Sequence, residues 1–91
     1  MLFRQLEYLV SLSRERHFAR AAKACFVSQP ALSEAIRKLE DELRALLFVR
    51  TPRGMCLSNA GAVFLQHARE ILGGIESARG EVLRAAPSKP T

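Results

Sequence analysis

The chain has 91 residues, 48% of them apolar and 25% charged, a balance that fits one small globular domain with room for an appended element and excludes a disordered tail. Its formal net charge of +5 points to an anionic partner, either nucleic acid or a membrane surface. No run approaches the roughly 20 apolar residues that span a bilayer, and Phe3-Arg4-Gln5-Leu6-Glu7 puts charge where a signal peptide is apolar, so the expected location is the cytoplasm.

The basic surplus is uneven: ten Lys/Arg face six Asp/Glu in residues 1–58, and four face three in residues 59–91. Residues 2–14 read as an amphipathic helix, with Leu2, Leu6, Leu9 and Val10 at helical spacing. Ser13-Arg14-Glu15-Arg16-His17 interrupts that pattern and reads as a loop. A short helix follows from about Phe18 to Cys25, rich in alanine (Ala19, Ala21, Ala22, Ala24), so another helix can approach it closely.

After a turn at Phe26-Val27, Ser28 caps a third helix by accepting a backbone N–H bond, and Pro30 falls in the first turn, where its missing N–H is harmless. Leu32, Ile36, Leu39 and Leu43 form its apolar stripe, which ends near Leu43 or Arg44. Leu47–Arg50 and Met55–Leu57 are β-prone runs around Thr51-Pro52-Arg53-Gly54, whose Pro and Gly positions suit a turn; together they predict a small hairpin with Arg53 at its tip. Ser58 then caps a long helix reaching about Ala86, and Pro87-Ser88-Lys89-Pro90 breaks it, as the start of an interdomain linker would.

Two short helices joined by a tight turn, followed by a hairpin, make a winged helix-turn-helix. The fold class is therefore mainly α: three helices with a small β-hairpin wing over residues 1–58, the helix-turn-helix at about 18–37, a linker or dimerisation helix over 59–86, and residues 87–91 beginning the interdomain linker.

Gln29, Ser33 and Arg37 share a face of the third helix away from its apolar stripe, with Pro30 and Glu34 beside them. Helix N-terminal turns favour phosphate, and Gln, Ser and Arg hydrogen-bond base edges in a major groove. An ordinary solvated face explains the same spacing. Beyond Lys38 the sign reverses to Glu40-Asp41-Glu42, which phosphates repel, so only the N-terminal half of this helix suits a groove. Glu34 also has a structural reading, as the i+4 partner of Lys38. Arg53 is either turn decoration or a side chain for the negative potential of a minor groove.

In the last helix Phe64, Ala68, Ile71, Ile75, Ala78 and Val82 step by four and three, a narrow seam that suits a partner helix. Packing back onto the domain is the alternative, above all for Phe64 and Leu65. A helix of about 28 residues is on the order of 40 Å long, more than so small a domain covers. Gly73, Gly74 and Gly80 weaken it by roughly 1 kcal/mol each relative to alanine, while permitting close approach of a partner backbone or a bend.

Cys25 and Cys56 form neither a disulfide framework nor zinc spacing, and read as small core-filling thiols with a redox switch as the residual alternative. His17 and His67 lack companion ligands, so no metal or cofactor is expected. An enzyme is excluded for want of paired carboxylates, a nucleophile–base pair or a glycine-rich phosphate loop.

Phe18-Ala19-Arg20-Ala21-Ala22, Val27-Ser28-Gln29-Pro30-Ala31-Leu32-Ser33, Ile36, Leu39-Glu40, Leu43 and Leu47-Phe48-Val49-Arg50-Thr51 closely resemble the N-terminal domain of LysR-type transcriptional regulators, and Leu57-Ser58-Asn59-Ala60-Gly61 is similar to the family's wing-to-linker junction. The resemblance runs to about residue 86, and the Ser-Gln-Pro-Ala-Leu-Ser run is its most specific part. It implies a bacterial regulator that binds interrupted palindromes in double-stranded promoter DNA as a homodimer. It also implies antiparallel pairing of linker helices and a following effector-binding domain, absent from these residues, on which higher oligomers depend. By position, Gln29, Pro30, Ser33 and Glu34 would face bases, Arg20, Ser28, Arg37, Lys38, Arg50 and Thr51 the DNA backbone, and Arg53 the minor groove.

Three residues depart from the family pattern. Glu34 stands where many members carry Arg, and a carboxylate accepts from cytosine but cannot donate to guanine. Ala19 replaces a frequent Ser or Thr. Arg44 replaces the usual Gly after the third helix, which predicts a turn there without a left-handed residue. The alternative function is a winged-helix protein-interaction module, which the steep salt dependence of DNA binding separates from a DNA reader.

Overall fold

The computed structural model describes residues 1–90. Four helices and one hairpin follow in the order α1 (Phe3–Glu15), α2 (Phe18–Ala24), α3 (Gln29–Leu43), β1 (Phe48–Thr51), β2 (Gly54–Leu57) and α4 (Asn59–Ala85). The architecture is the expected one, with differences at two chain reversals, those at Arg16 and Arg44.

Helix α1 continues through Ser13-Arg14-Glu15 rather than opening into a loop there. Its reversal is compressed into Arg16, which takes a left-handed conformation (φ 56°) and donates its N–H to the Leu12 carbonyl. The α2–α3 turn likewise runs through left-handed Phe26 (φ 58°), whose side chain is 95% exposed. Arg44 after α3 is also left-handed (φ 55°), contrary to the expectation from the missing glycine. The reason is hydrogen-bond closure: the Arg44 and Ala45 N–H groups return to the carbonyls of Asp41 and Glu40, which requires a left-handed residue whatever its side chain.

The core gathers Leu6, Leu9 and Leu12 of α1, Ala21 and Ala22 of α2, Leu32, Ile36 and Leu39 of α3, Leu47, Phe48 and Met55 around the wing, and Ala68 of α4. Leu2, expected on the buried stripe, is exposed at the N-cap of α1. Burial of each large aliphatic side chain contributes roughly 1.5–3 kcal/mol, and Leu9, Leu12, Leu32, Leu39 and Leu47 are the largest that are fully enclosed. The alanines of α2 let α1 and α3 pack on it closely, and the Ser11 hydroxyl donates to the Ala21 carbonyl across that contact.

The wing is antiparallel, pairing Phe48 with Leu57 and Thr51 with Gly54, so that Pro52-Arg53 forms a two-residue tip. Gly54 has φ 126°, a backbone region that side chains rarely adopt. Helix α4 leaves the wing through Ser58, whose hydroxyl oxygen accepts from the Gly61 N–H (2.9 Å) and whose N–H donates to the Leu47 carbonyl (2.9 Å). Its C-terminal half projects beyond the core, and the molecule measures 53 × 25 × 21 Å.

Candidate nucleic-acid interface

Helix α3 begins where Ser28 Oγ accepts the Ala31 N–H (3.2 Å), with Pro30 in its first turn. Since Leu32, Ile36 and Leu39 bury one side, the helical period turns Pro30, Glu34, Arg37 and Asp41 to solvent as a crest, all four exposed. Gln29 is exposed and Ser33 half-buried on the flank toward α2 and the wing. Gln29 joins Arg16, His17, Phe18, Arg50 and Gly54 around an open concavity of about 230 Å³.

Electrostatics divide the expected contact residues. Arg37 Nε and Nη2 donate to the two carboxylate oxygens of Glu34 (3.0 and 2.5 Å), while Nη1 donates to Asp41 (2.9 Å). Glu34 therefore pairs chiefly with Arg37; the expected partner Lys38 lies further off at 4.0 Å. The hydrogen bond from Arg37 holds the Glu34 carboxyl below the usual carboxylate range, and the same bond raises the Arg37 guanidinium. Arg20 is drawn back toward the end of α1, Nη2 donating to the Glu15 carbonyl (3.2 Å). Arg50 lies over the Phe18 ring, 5.6 Å from its centre, which holds this wing residue beside the start of α2. Thr51 and Arg53 are exposed on the wing, and Arg53 has no ion-pair partner among the described residues.

Several structural roles are not apparent from the motif. His17 Nδ1 accepts the Arg20 N–H (3.3 Å) and caps α2; histidine is not among the usual N-cap residues, so no sequence signal marks that role. Glu40 Oε2 accepts the N–H groups of Leu47 (2.7 Å) and Phe48 (3.4 Å), tying the recognition helix to the wing. Nothing local announces that bond, because it closes only when the chain reverses at Arg44.

On α4 the seam is split. Ala68 is 0% exposed and Phe64 packs beside it, both against this chain's own core, which removes Ala68 from any partner surface. Ile71 is 41% and Val82 62% exposed, Ala78 is exposed and Ile75 half-buried. Leu83, not on the expected seam, is 74% exposed. Cys25 and Cys56 are free, half-buried thiols, Cys25 packing on the core. No helix among the described residues is long and apolar enough to cross a membrane.

Three helices with a recognition helix third, a hairpin wing and a projecting fourth helix define a winged helix-turn-helix protein. Residues 3–62 match the family described as bacterial regulatory helix-turn-helix protein, lysR family. A hydrogen peroxide-inducible genes activator of Pectobacterium carotovorum subsp. carotovorum is 53% identical over 72 residues, 79% of this chain and 24% of that protein. The DNA-binding transcriptional dual regulator OxyR of Escherichia coli (strain K12) matches to the same extent, 53% identical over 72 residues with 79% of this chain and 24% of that protein covered. Among solved structures, the CbnR_DBD–DNA complex superposes with TM-score 0.82 at 39% identity, covering 93% of this chain and 97% of that one. The BenM_DBD/benA site 1 DNA complex gives 0.90 at 32% identity, covering 94% and 100%. The chain belongs to the lysR family of bacterial regulatory helix-turn-helix proteins. It spans about a quarter (24%) of the length of the curated relatives named here.

Proposed function

We propose that this chain is the operator-reading part of a cytoplasmic transcription regulator, binding an interrupted palindrome in double-stranded DNA as a homodimer. The observation that carries the reading is α3: its apolar stripe is spent on the core, while Gln29, Pro30, Ser33 and Glu34 are presented beside a basic wing. The N-terminal half of α3 enters a major groove, where these four meet base edges. Ser28, Lys38, Arg50 and Thr51, all exposed, are the groups assigned to phosphates, with Arg20 released from Glu15 to join them. Arg53 reaches a minor groove from the wing tip. The likeness to chains described as DNA complexes supports this reading over a protein-docking winged helix.

Dimerisation runs through the outer half of α4, from Ile71 through Ile75 and Ala78 to Val82. Gly73 and Gly74 have open space around them, with nothing within 4 Å of an added Cβ, so a second helix can come close. Curated relatives that match this chain to a similar degree are named for responses as different as hydrogen peroxide and SDS degradation, so the similarity belongs to the reading head rather than to an inducer. Selection of bound duplexes from a random pool tests the proposal. An enriched interrupted palindrome supports it, and a pool that stays random contradicts it.

A further inference from the structure

The crest of α3 carries a linked set of charges that a simple phosphate-binding role for Arg37 leaves unexplained. Arg37 grips both oxygens of Glu34 side-on and is braced from the next turn by Asp41. An isolated exposed ion pair is usually loose, but a guanidinium forked onto one carboxylate and held by a second is the geometry in which such pairs become ordered. Arg37 is thereby neutralised by two anions and is poorly placed to attract a phosphate. Glu34, by contrast, gives one lone pair on each oxygen to Arg37 and keeps others free.

A fixed carboxylate is an acceptor without a donor, and the major-groove edges sort sharply against it. Guanine presents N7 and O6, both acceptors, and thymine presents O4 and a methyl group; adenine offers its amino group only beside the acceptor N7. Cytosine alone presents an amino donor with no acceptor on its own edge. Resting on the DNA-reading function above, we propose that Glu34 reads a cytosine amino group in each half-site, and that Arg37, braced by Asp41, is the positioning residue that holds the Glu34 carboxylate for it rather than a phosphate contact.

The test uses the 91-residue chain and its Glu34→Gln, Arg37→Ala and Arg37→Lys variants. Equal melting temperatures check that each folds, which the exposure of the Glu34 and Arg37 side chains leads one to expect. The wild-type selection supplies the operator, and each protein is titrated over a range of salt onto that duplex and onto one with the Glu34-dependent cytosine replaced. The expected result is that Arg37→Ala and Arg37→Lys both lose roughly tenfold of the discrimination at that one base pair, within the range for a good base contact. Their salt slopes should match the wild type. A uniform loss on both duplexes with a salt slope smaller by about 1, restored by Arg37→Lys, would show a phosphate contact and overturn the proposal. So would an Arg37→Ala protein indistinguishable from wild type, or a consensus with no cytosine that Glu34→Gln releases. A wild-type chain that enriches no sequence is a different failure, because it removes the DNA-reading function itself.

Discussion

Arg44 shows how a single residue carries the geometry of a whole reversal. Its φ of 55° and ψ of 41° close the last turn of α3, and a side chain in that region is strained by roughly 1–2 kcal/mol relative to the right-handed form. Arg44→Gly should relieve the strain, against a loss from the more flexible unfolded chain, for a net gain of about 0.5–1 kcal/mol. Thermal unfolding checks this; an unchanged or lower melting temperature would count against the account of that turn. Glu34 gives the pH counterpart. Its folded-state pKa is lowered, chiefly by the Arg37 hydrogen bond, so the pair is present above the ordinary carboxylate value and is lost as pH falls through the lowered one. Arg37→Ala should move the Glu34 titration, followed by carboxyl NMR shifts, up toward the ordinary carboxylate value. At this scale the sequence was only half informative. Gln29, Pro30, Ser33 and Glu34 were placed by the period of α3, whereas the Glu34–Arg37 pairing depends on rotamers that spacing alone does not choose over Lys38.

The wing and the start of α4 form one unit with α3. Glu40 ties the strand to the recognition helix, Ser58 ties the α4 cap to Leu47, and Gly61 allows the two backbones to meet. A Cβ at Gly61 would fall 2.0 Å from the Leu47 carbonyl oxygen, closer than atoms tolerate. Gly61→Ala should therefore destabilise the domain by about 1–3 kcal/mol, as overpacking does, read as a lower denaturant midpoint. The wing tip should behave differently: Arg53→Ala is expected to leave stability unchanged and weaken DNA binding with little effect on the central base preferences. Equal affinities at moderate salt would remove the wing from the interface. The elements themselves were largely legible, because the stripes of α1 and α3 and the Pro–Gly turn are local patterns. The position of the reversal at Arg16 and the left-handed turn at Arg44 were not. There backbone hydrogen-bond closure imposes left-handed conformations on residues whose side chains give no such signal.

For the whole molecule, the division of α4 is the controlling feature. Its first half completes the core through Phe64, Ala68 and Leu72, and exposed Ile71 at its middle with Val82 and Leu83 near its end lie in water on a 53 Å molecule. The seam was readable as a period of four and three, but its inner limit was not, since that depends on how far α1 reaches along α4. A dimer joined beyond that limit carries two recognition helices and makes the second half-site contact nearly intramolecular. Ile71→Glu with Ile75→Glu should give a folded monomer by sedimentation and much weaker palindrome binding. A wild-type chain that remains monomeric at high micromolar concentration would defeat the dimer.

The claim on which the rest depends is sequence-specific recognition of duplex DNA by α3 and the wing. Its most direct test is a fluorescence titration of the wild-type chain against the selected palindrome and a scrambled duplex of equal length, at several salt concentrations. The palindrome should bind about 10³-fold or more tightly than the scrambled duplex at physiological salt, and both affinities should fall steeply as salt rises. Equal affinity for the two duplexes, or binding indifferent to salt, would contradict that claim.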